Sequence, residues 1–210
     1  MSVRRLGLAA ACWLSILGGI AGQDRMPLIP PDKMTEAQKK VVQEMTEGPR
    51  GGMSDSGPFV SLLRSPELLI RQEKVGEYLK TNNALGPKLT EFVILITARE
   101  WTQQFVFSGH SKAGLRAGLK QDVINGIAEG RRPTGMADDE EVVFDFCTEL
   151  YQNHGVSDST YERAARKLGE QGVIDMVGTI GYYATQAMML NVARTPLPKG
   201  TSAPLAAFPQ

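Results

Sequence analysis

The run Phe92-Val-Ile-Leu-Ile96 constrains the fold more than any other stretch, because a continuous apolar run has to be buried on every side. Periodicity alone does not separate a buried helix from a buried strand over so short a span. No turn-bounded partner strand exists elsewhere in the sequence, so the run reads as a helix, opened by Gly86-Pro87. The other helix signals agree. Thr35-Glu-Ala-Gln38 is a capping box that starts a helix to about Glu47. Gly48 to Gly57 is a glycine-rich loop. Ser65-Pro66-Glu67 starts a helix whose apolar face is Leu68, Leu69, Val75, Tyr78 and Leu79, and Thr81-Asn-Asn83 ends it. Thr102 is placed to cap a helix through Leu119, and Asp122 to Glu129 forms a short one stopped near Gly130 and Pro133. Asp138-Asp-Glu-Glu141 puts acids in the first turn of a helix to about Asn153. Ser157 caps the next, with Tyr161, Ala164, Ala165 and Leu168 inward. Val173, Ile174, Val177, Ile180, Gly181, Ala184 and Met188 form an apolar stripe on the last helix. The pattern predicts one all-α domain of about seven to eight helices.

The ends read differently. Arg4 and Arg5 precede an apolar or small stretch from Leu6 to Ile20, and Gly19-Gly-Ile-Ala-Gly22 offers small residues for cleavage, so 1–22 reads as an export signal peptide. The apolar stretch is shorter than the roughly 20 residues of a bilayer span. Export to a periplasmic or extracellular location is expected, without stable membrane insertion after cleavage. Residues 23–34 form a proline-rich lead-in, 35–198 the helical domain, and 199–210 a proline- and alanine-rich tail, loose or docked.

Composition excludes some function classes. The 210 residues carry 23 basic and 23 acidic side chains, so no electrostatic footprint for nucleic acid is present. Removal of the leader leaves one cysteine, Cys147, which cannot form an internal disulfide and reads as a buried inert thiol. The two histidines, His110 and His154, lie far apart in unlike settings, without the clustered spacing of a metal site. His154 precedes Gly155 at a helix end, a structural position.

His110 is the candidate for chemistry, against the plainer reading of a satisfied core histidine. Its helical neighbours are Val106, Phe107, Ala113 and Gly114, while Ser108, Lys112, Arg116 and Lys120 form the solvated side. Gly109 and Gly114 leave room for another backbone or a ligand. Glu91 precedes His110 by nineteen residues, about 28 Å along one straight helix. The two meet only if the chain reverses near Glu100 to Gln103, or if a second subunit delivers one of them. Glu91 also fits a simpler role, an acid favoured by the dipole near a helix start. A paired imidazole would be a competent general acid–base.

Leu89-Thr-Glu-Phe-Val-Ile-Leu95, Gln104-Phe-Val-Phe-Ser-Gly-His110, Ala113 and Ala117-Gly-Leu119 resemble the carboxymuconolactone decarboxylase superfamily, which includes the alkylhydroperoxidase-D-like proteins. Val156-Ser-Asp-Ser-Thr-Tyr161 and Gly178-Thr-Ile-Gly-Tyr-Tyr183 look like one branch of it. The likeness covers roughly Thr35 to Pro198, and its order and spacing are more specific than any one motif. It implies Glu91 and His110 as the catalytic pair. The sequence departs at the two cysteines of the peroxidase members, where Gln103 and Val106 stand; neither can form a thiolate or close a disulfide. The tyrosine-glutamate-tryptophan trio of other members is Phe105-Val106-Phe107 here, and the arginine of the family's start is Thr90. Peroxidase activity is therefore not expected. The reading that follows is an acid–base enzyme without metal or organic cofactor, of decarboxylase or lyase type, acting on a small carboxylic acid or lactone. His110 and Glu91 act on it, and Trp101, Gln103, Val106 and Phe107 contact it. The alternative is a non-catalytic helical oligomer that binds a ligand or partner. The resemblance implies a homo-oligomer, a trimer or hexamer.

Overall fold

The computed structural model describes residues 24–48 and 51–206, so the leader-like residues 1–22 lie outside the described residues. Eight α-helices follow one another: α1 Glu36–Glu47, α2 Pro58–Leu62, α3 Pro66–Thr81, α4 Gly86–Glu100, α5 Gln104–Arg116, α6 Gln121–Ala128, α7 Asp138–Asn153 and α8 Asp158–Ala193. No strand occurs among the described residues. The fold is all-α, as the apolar patterning predicts.

Helix α4 is the axis of the domain. Phe92, Val93, Ile94, Leu95 and Ala98 are shielded on all sides, with α5, α7 and α8 packed around them. A helix apolar on every face has this fate. The capping box at Thr35 forms as the sequence predicts, with Gln38 N–H donating to Thr35 Oγ1 and Thr35 N–H to Gln38 Oε1. Helix α2 was not legible in the sequence. Its four buried residues, Phe59, Val60, Ser61 and Leu62, join Val41, Met45, Leu63 and Leu69 in a second, smaller core. The two elements expected from Ser157 onward both form within the span of α8, divided at Gly169, whose φ of 74° is not helical. Tyr161 is exposed rather than inward. The tail docks: Leu205 is buried, its N–H donates to Gln104 Oε1, and Gln104 Nε2 donates back to its carbonyl.

The connection between α4 and α5 is a sharp reversal. Trp101 N–H donates to the Thr97 carbonyl, Thr102 N–H to Arg99 and Gln103 N–H to Ala98. Thr102 sits in the left-handed region at φ 45°, so it does not cap α5. Gln103 does, accepting from Phe105 N–H at 2.6 Å. The far end of α5 also stops earlier than expected. The chain leaves the helix after Arg116, and Gly118 takes φ 100°. Leu119 N–H returns to the Gly114 carbonyl, and the Leu119 side chain packs where a Cβ on Gly114 would lie 2.9 Å from it. Ala117-Gly-Leu119 is thus a helix stop that sends its leucine back into the core.

Two outcomes are expected from this packing. Gln103→Ala removes the α5 cap and should lower unfolding free energy in urea by about 1–2 kcal/mol. Cys147 is fully buried and burial pushes its thiol up to about 12. It should resist iodoacetamide in the native protein and label only once the chain is unfolded, as read by peptide mass mapping.

Candidate functional site

The reversal sets α4 and α5 side by side and antiparallel. Glu91 and His110 then stand at similar heights, each about 10–15 Å along its helix from the turn. His110 Nδ1–H donates to Glu91 Oε2 at 2.7 Å, within one chain. Glu91 lies beyond the first turn of α4, so a cap role does not account for it. Both side chains are largely enclosed, at 27% and 19% exposure. With Nδ1 engaged, Nε2 is the nitrogen left for the cavity that the ring lines. Tyr183 meets the imidazole edge-on, with centroids 5.0 Å apart, and Tyr182 stands edge-on to Tyr183.

The cavity has a volume of about 400 Å³, within the range of small-molecule sites. Phe59, Ile94, Phe105 and Val106 give it apolar walls, and Thr90, Tyr182, Tyr183 and Gln186 add polar atoms. Lys80 lies in the lining as an exposed cation. Gly76 lets the Tyr182 hydroxyl end approach α3, since a Cβ there would lie 2.4 Å from it. Gly109 borders the cavity, with nothing within 4 Å of the Cβ position, whereas Gly114 serves packing.

Of the four substrate contacts expected from the sequence, the structure brings Val106 to the cavity and places the other three elsewhere. Trp101 ends α4 at 36% exposure, its carbonyl accepting from Asn191 Nδ2. Gln103 is buried in the turn, with Nε2 donating to Asn191 Oδ1 at 2.8 Å. Phe107 is in the core at 1% exposure. The reason is the register of α5: residues 106, 109 and 110 face the cavity, while 103 and 107 turn toward α8 and the core. Sequence reasoning missed Lys80, Tyr182, Tyr183 and Gln186. The signal available was Gln186, a carboxamide followed by the apolar run Ala187-Met-Met-Leu190 on the last helix.

A second cavity of similar size, about 390 Å³, is lined by Ile96, Arg99, Arg131, Arg132, Phe144 and Tyr151. Its arginines are already engaged: Arg131 with Glu129, Arg132 with Asp145, and Arg99 with the Ala206 carbonyl. Burial works to raise the Asp145 carboxyl, and the hydrogen bonds from Arg132 and Arg163 outweigh it and hold it below its ordinary value. That cavity is lined by no histidine, whereas the first holds the His110 imidazole. Among the described residues, no group of three or more His, Cys, Asp and Glu stands close enough to hold a metal ion.

No family model and no curated protein matches the sequence. Solved structures do. One is a protein of unknown function from Agrobacterium tumefaciens, named for the AhpD antioxidant defence proteins. It is 18% identical with a TM-score of 0.54, over 65% of this chain and 94% of that one. Another is the debrominase Bmp8, 13% identical with a TM-score of 0.63, over 87% of this chain and 95% of that one. A substituted form of Bmp8, solved with 2,3,4-tribromopyrrole, matches at the same TM-score over 86% and 92%. The described residues are all-helical and share the fold of this AhpD-like protein and of Bmp8.

Proposed function

We propose that the chain is an acid–base enzyme of decarboxylase or lyase type, acting through its own side chains on a small, partly apolar carboxylic acid or lactone. The observation that carries this reading is the 2.7 Å His110–Glu91 pair in the wall of a largely apolar cavity. Glu91 accepts from Nδ1–H and fixes both tautomer and ring orientation, leaving Nε2 to accept a proton. A proton taken from carbon beside a carbonyl leaves an enolate. In a decarboxylation the electron pair of the broken C–C bond enters the conjugated carbonyl, and the imidazolium returns a proton to carbon. The complex of Bmp8 with a bromopyrrole supports a small ring as ligand for a protein of this fold. A thiol peroxidase is disfavoured, since Cys147 is shielded from solvent and burial pushes its thiol up to about 12.

We also propose a homo-oligomer. Ile174, Val177, Met188 and Val192 form one stripe along α8, with 68% of Ile174 and 57% of Val192 exposed. Leu68, Val75 and Tyr78 continue it on α3. The sequence reads Ile174, Val177 and Met188 as part of an apolar stripe; within one copy they face outward, as an interface with a second copy would require.

In a screen of lactones and keto acids, His110→Ala should lower turnover by about 10²- to 10⁴-fold, with thermal unfolding showing the variant folded. Glu91→Gln should lose less, because the ring keeps its base and loses its orientation. Equal turnover by His110→Ala ends the reading. Light scattering should find the wild type as a trimer or hexamer, and Ile174→Glu with Val192→Glu should shift it to monomer. A monomeric wild type would refute the assembly.

A further inference from the structure

The cavity around the catalytic pair contains a polar atom that the protein leaves unsatisfied. Gln186 is 2% exposed and stands in the cavity wall. Its Nε2 donates to Gln72 Oε1 over a long 3.4 Å. Its Oε1 is buried and accepts no hydrogen bond from the protein. A buried carbonyl in that state carries the full loss of its hydration, whereas an apolar side chain of similar shape would not. A ligand that brings a donor accounts for it.

Lys80 is the complementary group. It lies in the lining of the same cavity and makes no ion pair or hydrogen bond among the described residues. The other charged groups of the lining, Glu91 and His110, are bonded to each other. The register of the two helices sets the spacing. Gln72 meets Gln186, the Tyr182 hydroxyl meets Gly76, and Tyr78 O–H donates to Asp175, so α3 and α8 run antiparallel. Lys80 stands two turns beyond Gln72, about 12 Å of helix rise, which the reach of a lysine side chain shortens to the length of one small molecule. Tyr183, with the imidazole against its ring, lies between these levels.

We propose that Lys80 and Gln186 are the ligand-orienting residues of this cavity. Lys80 holds a carboxylate at its open side, and the Gln186 carbonyl accepts from an O–H or N–H on the apolar body of the ligand. The substrate class is then a small hydroxylated or N–H-bearing carboxylic acid rather than a neutral lactone. This rests on the acid–base reading for the identity of the cavity, not for the recognition itself.

Three probes test it by calorimetry on the full chain: para-hydroxybenzoate, benzoate, which lacks the donor, and para-hydroxybenzamide, which lacks the charge. The wild type should bind the first about three- to tenfold more tightly than either of the others. Gln186→Met should abolish the preference for the hydroxyl while leaving the melting temperature unchanged or higher. A purely structural glutamine would lower it. Gln186→Leu gives the same reading if the methionine variant does not fold. Lys80→Met should abolish the preference for charge and keep that for the hydroxyl. A wild type that shows no preference for para-hydroxybenzoate, whether it binds all three alike or none, overturns the proposal. So does a Gln186→Met protein that retains the hydroxyl preference. Should the preferences hold while His110→Ala turns over like the wild type, the acid–base reading alone falls.

Discussion

The reversal at Trp101–Gln103 is the constraint on which the site depends. Without it, Glu91 and His110 would be separated by about 28 Å of helix. The turn is not one that its local sequence favours. Thr102 takes a left-handed conformation, which for a residue with a Cβ costs roughly 1–2 kcal/mol. Tertiary contacts hold it. Gln103 caps α5 with its carbonyl and reaches Asn191 on α8 with its amide, and Asn191 in turn donates to the Trp101 carbonyl. The docked tail adds a pair of hydrogen bonds one residue further on, at Gln104. The geometry of the Glu91–His110 pair is therefore set by α8 and the tail, although neither contributes a side chain to the 2.7 Å contact.

The helices were legible where local chemistry decides them. The Thr35 box, the acids at Asp138–Glu141 and the Ser157 cap each satisfy backbone donors from within their own segment, and each forms. Helix α2 was not legible, because its five residues carry no periodicity and its stability comes from burial against α1, α3 and α8. The Glu91–His110 pair was legible as a condition, that the chain reverse near Glu100 to Gln103. The cavity walls were not. Assigning Trp101 and Phe107 to them followed from aromatic character, but helix register decides which rings face the cavity, and on α5 it is Phe105 that does.

Helix α8 shows why the far wall escaped notice. It has three working faces. Val173, Met176 and Ala187 enter the core, Tyr182, Tyr183 and Gln186 face the cavity, and Ile174, Val177 and Val192 face outward. A helix with one buried stripe has a readable period, whereas one with apolar residues on core and outer faces alike does not. What separates the cavity face is polarity: two hydroxyls and a carboxamide where aliphatic side chains would pack as well. In the arginine-lined cavity Arg132 pairs with Asp145 and Arg99 donates to the Ala206 carbonyl.

Gln103 and Val106, the two positions singled out in the sequence, have separate roles in this structure. Val106 stands in the cavity wall beside the imidazole, where it presents methyl groups instead of a reactive sulfur. Gln103 has been drawn into the α4–α5 turn, which it both caps and ties to α8. The effects reinforce one another. An apolar wall lowers the local dielectric and strengthens the interaction between the Glu91 carboxylate and the imidazole, while the glutamine holds the two helices that carry them in register. No thiol faces this cavity: the cysteine among the described residues, Cys147, is buried in the core away from it.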